Sequence, residues 1–153
     1  MQDAPHVMLH ASCVAIEGHG VLIKGRSGSG KSALALELMA RGAQLVSDDQ
    51  TMVLPRAGAL IACCPPGLEG LIEARGLGIL RAEAVREVPL HVIVDMNDVE
   101  TARLPRHITT QLLNQELPLL RRVDSPHFPA ALVQYVKGGA IDPDAGIKPQ
   151  PNG

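Results

Sequence analysis

The stretch Gly25-Arg26-Ser27-Gly28-Ser29-Gly30-Lys31-Ser32 leaves this chain few folds to choose from. It satisfies the phosphate-loop pattern G-x-x-x-x-G-K-[ST] at every fixed position. Its glycines let the backbone curl until successive amides face one anion. Lys31 adds a mobile point charge suited to the β- and γ-phosphates, and the Ser32 hydroxyl is suited to Mg²⁺. Such a loop needs a strand before it and a helix after it. Gly20-Val21-Leu22-Ile23-Lys24 reads as the strand, and 33–40 as a helix whose positive dipole end faces the phosphates. A triphosphate with Mg²⁺ is the ligand such a loop suits, held by all eight of its residues.

The rest of the chain has to build a sheet and helices around that loop. At 153 residues it is long enough for one domain with a core that needs no staples. Hydrophobic residues make up 46%, yet there is one Phe, one Tyr and no Trp. The core is therefore aliphatic, which suits a helix-covered sheet and leaves no aromatic platform for single-stranded bases. A net charge of −2 with scattered basic residues gives no nucleic-acid footprint. No apolar run approaches the ~18 residues of a membrane span, and no secretory leader is recognisable. Three cysteines, two of them the adjacent Cys63 and Cys64, make no disulfide framework, and burial explains Cys13 and Cys63. A cytoplasmic protein is expected.

In chain order, 1–6 read as a loose leader, 7–16 as one strand carrying His10, and Glu17-Gly18-His19-Gly20 as a turn. The helix after the loop is expected to end at Gly42. A short strand, 43–47, then delivers Asp48-Asp49. Adjacent carboxylates at a strand end, downstream of a phosphate loop, suit work at the metal and the γ-phosphate. The stretches 50–54 and 60–64 read as strands joined by a turn at 55–59. In Leu71-Ile72-Glu73-Ala74-Arg75-Gly76-Leu77-Gly78-Ile79-Leu80, Glu73 and Arg75 share strand parity before a Gly-Leu-Gly bend. The run 90–95 reads as a central, fully buried strand. Residues 97–108 read as irregular, 117–123 as a proline-tolerant edge strand, and 126–136 as a helix capped by Ser125. A disordered tail is expected over 141–153.

His10, the phosphate loop, Leu45-Val46-Ser47-Asp48-Asp49 and the Glu73-Ala74-Arg75-Gly76-Leu77-Gly78-Ile79 stretch occur in one order and at spacings that resemble the catalytic domain of the HPr kinase/phosphorylase family. The resemblance covers roughly 5–140. It implies an α/β P-loop kinase domain over 1–140 with a central mixed sheet, similar to the nucleotide domain of phosphoenolpyruvate carboxykinase. It implies a serine kinase that uses ATP and Mg²⁺ on the phosphocarrier HPr of the phosphotransferase system, with a phosphorylase activity in reverse. By position, Asp49 matches the catalytic base with Asp48 beside it, and His10 matches the histidine supporting it. Lys31 acts on the phosphates, Ser32 and Glu73 match the Mg²⁺ ligands, and Arg103 resembles a catalytic arginine. The family also implies a homo-oligomer, a hexamer in its long members.

The chain departs from the family pattern in three places. It resembles a short form without the separate N-terminal domain of long members. Ala33 stands where the family usually has Glu. The Gly-Arg loop of the family aligns with Asp124-Ser125-Pro126-His127-Phe128-Pro129, which contains neither residue. Two other functions fit the residues alone: an ATP-binding switch that transfers nothing, and a small-molecule kinase. Against the latter, the chain has no Arg-rich lid insertion and no recognisable nucleoside or sugar pocket.

Overall fold

The computed structural model of the chain describes residues 5–144. Its strands are β1 (Val7–Leu9), β2 (Ala11–Ile16), β3 (His19–Lys24), β4 (Gln44–Ser47), β5 (Thr51–Arg56), β6 (Ala59–Cys63), β7 (Leu71–Ala74), β8 (Gly78–Arg81), β9 (Glu87–Val99), β10 (Ile108–Leu112) and β11 (Gln115–Arg122). Two helices, α1 (Lys31–Met39) and α2 (Phe128–Gly138), complete the described elements. Nine strands form one mixed sheet in the order β1-β5-β6-β9-β3-β2-β4, with β11 on β9 and β10 on β11. The hairpin β7–β8 stands apart as a two-stranded sheet.

Strand β9 organises this sheet because it is long enough to serve three neighbours. Its first residues pair with β6 and its later ones with β11, while β3 runs parallel along the opposite edge. A strand covered on both edges and both faces reads as a nearly all-apolar run, as 90–95 does apart from His91 and Asp95. Parity sorts its side chains. Val92 and Val94 face the helices together with Val14, Ile16, Val21 and Ile23. Ile93 faces the other way with Cys13, Ala15 and Leu22, under Val53 and Leu60.

Helix α1 packs on the first face through Leu34, Ala35 and Leu38, one apolar stripe at helical spacing. It ends at Met39, slightly before the expected stop. There the Ala43 amide reaches back to Leu38 O at 3.1 Å while Gly42 takes φ 102°, a backbone that favours glycine. Helix α2 joins the same face with Phe128, Leu132 and Val136.

Several expected elements differ. The strand expected over 7–16 is broken by a bend at His10, which lets β1 leave β2 and pair with β5. Residues 117–123 do not form an edge: β11 lies between β9 and β10, and Pro118 faces Thr109 within the β10 pair. The start of α2 moves to Phe128. Pro129 occupies its first turn, and the Ser125 hydroxyl bonds His127 Nδ1 at 2.7 Å instead of capping the helix. Arg75 falls in the turn after β7, so it does not share a strand face with Glu73, and among the described residues no ion pair joins the two. Of the expected disordered tail, 141–144 are described and tied to the connection before β10 by Arg106–Asp144 (3.1 Å) and His107–Asp142 (4.0 Å). Residues 145–153, and 1–4 of the expected leader, lie outside the described residues. No helix among the described residues is long and apolar enough to cross a membrane.

Candidate active site

The phosphate loop spans the gap between the end of β3 and the start of α1, as its sequence requires. Gly28 and Gly30 take φ values of 81° and 99°. At Gly25 the reason for glycine is space as well as backbone angle, since a Cβ there would lie 2.5 Å from Ser29 Oγ and 3.0 Å from Met96 Cβ. Lys31 is buried, and its ammonium donates to Gly25 O (2.8 Å) and Arg26 O (3.1 Å). Those carbonyls hold the charge over the loop. Among the described residues Ser29 Oγ, within this loop, is buried with no hydrogen-bond partner.

A second layer of residues, not singled out in the sequence, fixes the loop to the sheet. The side-chain oxygen of Asn97 accepts from the Arg26 amide (2.9 Å) and from Arg26 Nε (3.4 Å). The Asn97 amide in turn donates to Asp95 Oδ1 (2.9 Å), and Asp95 lies 3.9 Å from Lys24 Nζ. Asp95 is paired with Lys24 in the parallel ladder, so the ends of β3 and β9 and the loop form one unit. The available signal was positional: the polar residues that follow the apolar Val92-Ile93-Val94 run beside the loop strand.

The acidic pair stands directly opposite. Asp48 is the hub. Its Oδ1 accepts from Ser32 Oγ (2.7 Å) and from Ser12 Oγ (2.8 Å), and its Oδ2 accepts from the Glu73 amide (3.0 Å). One carboxylate therefore links α1, β2 and the β7 hairpin. Asp49 points the other way, into a cleft of about 560 Å³ that Gly28, Lys31, Ser32, Glu73 and Arg75 also line. Its backbone sits at φ 66°, rare for a non-glycine residue. His10 Nε2 lies 3.3 Å from Asp49 Oδ1, with both side chains about half exposed. The bend that breaks the first strand is what presents that imidazole.

The fold thus brings His10, Lys31, Ser32, Asp48, Asp49 and Glu73 together. Arg103 does not line this cleft and lies exposed on the connection between β9 and β10. Among the described residues no group of three or more His, Cys, Asp or Glu is placed to hold a metal by itself. The oxygens at hand, Ser32 Oγ with the Asp48 and Glu73 carboxylates, fit a hard cation that takes one or two carboxylates and fills its shell with phosphate oxygens and water.

A glycine-rich loop between a strand and a helix, with its lysine buried and its serine bonded to a carboxylate from a neighbouring strand end, is the arrangement of a P-loop domain. The family model of the HPr serine kinase C-terminal domain matches residues 2–111, and the chain belongs to that family. It is similar to the HPr kinase/phosphorylase of Cupriavidus metallidurans, 42% identical over 114 residues, covering 67% of this chain and 35% of that protein. It is also similar to that of Stenotrophomonas maltophilia, 45% identical over 109 residues, covering 69% of this chain and 32% of that protein. The chain therefore spans about a third of the length of these curated relatives. The solved HPr(Ser) kinase/phosphatase of Coxiella burnetii superposes with a TM-score of 0.73 at 26% identity, covering 86% of this chain and 88% of that one.

Proposed function

We propose that this chain is a Mg²⁺-dependent protein serine kinase that transfers the γ-phosphoryl group of ATP to HPr. The observation that carries the reading is the Asp48 hub, which ties the loop serine to a strand end and leaves Asp49 beside the phosphate loop with His10 against it. In the reaction the serine hydroxyl of HPr attacks the γ-phosphorus, a new O–P bond forms, the bond to the β-phosphate bridging oxygen breaks, and ADP leaves. Asp49 accepts the hydroxyl proton, and His10 beside it orients the carboxylate. The amides of 25–32 and the Lys31 ammonium balance charge on the transferred group. Ser32, Asp48 and Glu73 would hold Mg²⁺, which when bound neutralises charge on the β- and γ-oxygens. The same reading implies a cytoplasmic homo-oligomer serving regulation of the phosphotransferase system.

The test is to incubate the protein with γ-labelled ATP, Mg²⁺ and purified HPr and to map the label. Label on one HPr serine supports the reading; ATP binding without acceptor labelling leaves only a nucleotide switch.

The reverse direction is expected to be weak. Phosphate-dependent removal needs inorganic phosphate to attack the phosphoserine phosphorus, releasing serine and pyrophosphate, so two anions must be held in contact. The arginines nearest the missing Gly-Arg loop are already engaged. Arg121 lies 3.7 Å from Glu100, while Arg122 donates to Asp124 (2.8 Å) and to Met96 O (2.8 Å). Serine-phosphorylated HPr with millimolar phosphate and no ATP should release pyrophosphate much more slowly than the forward rate. Equal rates would show that the absent arginine is dispensable.

A further inference from the structure

We infer that Ser12 is the positioning residue that assigns Asp48 and Asp49 their separate duties. The inference rests on the kinase reading above, in which Asp49 is the base.

Ser12 lies on β2 with no exposed surface, on the same strand parity as the core residues Val14 and Ile16. A hydroxyl on a core-facing position is costly unless it is bonded. Here both of its capacities are used, and on consecutive residues. The Asp49 amide donates to Ser12 Oγ at 3.1 Å, and Ser12 Oγ donates to Asp48 Oδ1 at 2.8 Å. The polarity is fixed, because an amide can only donate and a serine has one proton to give. That proton has to go to Asp48.

The two bonds have opposite geometrical effects. The bond to Asp48 keeps that carboxylate turned inward, where Ser32 Oγ donates to the same oxygen. The bond from the Asp49 amide holds that backbone at φ 66°, a conformation that persists in a non-glycine residue only where its surroundings impose it. It is this left-handed turn that sends the Asp49 carboxylate away from its neighbour and into the cleft beside His10. Without the Ser12 oxygen, the Asp49 amide loses its acceptor and Asp48 loses one of its donors. General-base catalysis is sensitive to placement of the base, whereas triphosphate binding draws on loop amides that Ser12 does not touch.

The experiment compares wild type with Ser12→Ala and Ser12→Thr, the latter restoring the hydroxyl. Hydrogen exchange of the Asp49 amide should quicken by about tenfold or more in Ser12→Ala, the worth of one bond in a charged network. Exchange within β3 should stay unchanged. The rate of phosphoryl transfer should fall by about 10–100-fold, as expected when a hydrogen bond that positions a charged group is lost. The dissociation constant for ATP should stay within about twofold, and Ser12→Thr should recover both exchange and transfer. Placed on an Asp49→Asn background, Ser12→Ala should cost less than about threefold, since residues acting as a unit are not additive. Unchanged Asp49 exchange, a full rate in Ser12→Ala, or additive losses in the double variant would each overturn the inference. Exchange is read without turnover, so a wild-type protein that transfers no phosphate counts against the kinase reading and leaves the Ser12 link to be decided by exchange alone.

Discussion

Two cavities of comparable size differ in what their charged residues do. In the nucleotide cleft, about 560 Å³, Lys31 is held only by loop carbonyls, Asp49 stands half exposed on a strained backbone, and Glu73 carries an exposed carboxylate. In the second cavity, about 460 Å³, apolar side chains from β11 and α2 such as Leu119, Phe128 and Leu132 form the walls. Its rim charges are paired off, Arg121 with Glu100, Arg106 with Asp144 and His107 with Asp142. The first site keeps Asp49 beside His10 at a polar cleft, at some cost in backbone strain, and the second rings apolar walls with paired side chains. The match to the family model ends at residue 111 and so takes in the first cavity and only part of the second. Chemistry should therefore depend on the first region and stability on the second.

The largest effect expected is that of Lys31→Ala. Loop amides alone leave the developing phosphate charge undercompensated, so transfer should be abolished even with ATP and Mg²⁺ saturating. Near-normal turnover would remove the cleft from the mechanism. Asp49→Asn comes next, with ATP binding retained and a loss of about 10²–10⁴ in transfer, the usual contribution of a positioned base. Asp48→Asn should also damage activity, but with a changed Mg²⁺ requirement, since it is Asp48 that bonds Ser32. If Asp48→Asn is the more inactivating and Asp49→Asn is mild, the two roles are exchanged.

The second region should respond the other way. Leu132→Ala removes a side chain that is 1% exposed at the centre of the α2 contact. The expected cost is about 2–5 kcal/mol of stability, from lost transfer energy and the cavity left behind. Denaturant unfolding would measure it, and the rate constant for transfer below the transition should stay within about twofold. A variant as stable as wild type but slow would show that α2 positions the site, and would break the contrast between the regions.

How much of this was legible in the sequence follows the same division. The loop, the acidic pair and the central strand carry local signals: glycines at fixed offsets, carboxylates at a strand end, a nearly all-apolar run. Turn chemistry explains the largest error. Glu17-Gly18 and Ala57-Gly58 each turn a hairpin with positive φ at both positions, and both were readable from the glycine. Leu113-Asn114 makes the same kind of turn without one, at φ 48° and 63°, so β10 and its turn went unread and β11 passed as an edge strand. Proline at 118 reinforced that error, because the sequence gives no sign that β11 has partners on both sides. Ser12 and Asn97 were missed for another reason. Each acts on a residue far away in the chain, 36 positions for Ser12 and Asp48 and 71 for Asn97 and Arg26, and no local pattern encodes such a contact.

The smallest effect expected lies where α2 meets the hairpin of β2 and β3. His91 on β9 lies with its ring 5.1 Å from that of His19 and 6.4 Å from that of Tyr135. Burial, and then the neighbouring His19, lower the proton affinity of His91 below its ordinary value near 6.5. The charged groups beside this contact are Glu17 and Lys137, 3.6 Å apart across the β2–β3 turn and the end of α2. The sign follows from proton binding. Between the lowered native value and 6.5, the unfolded chain takes up a proton that the native fold refuses, so stability falls as pH drops through that window. Above about 6.5 the group is neutral in both states and contributes no slope. Melting temperatures measured from pH 7.5 down to 5.5 should decline for wild type, and decline less steeply for His91→Gln, which cannot titrate. Tyr135 lines the second cavity and none of these three rings lines the first, so ATP affinity should follow the same pH course in the two proteins. Parallel melting curves would show that the His91 proton is not linked to folding, and a change in ATP affinity would show that the two regions are coupled through the central strand.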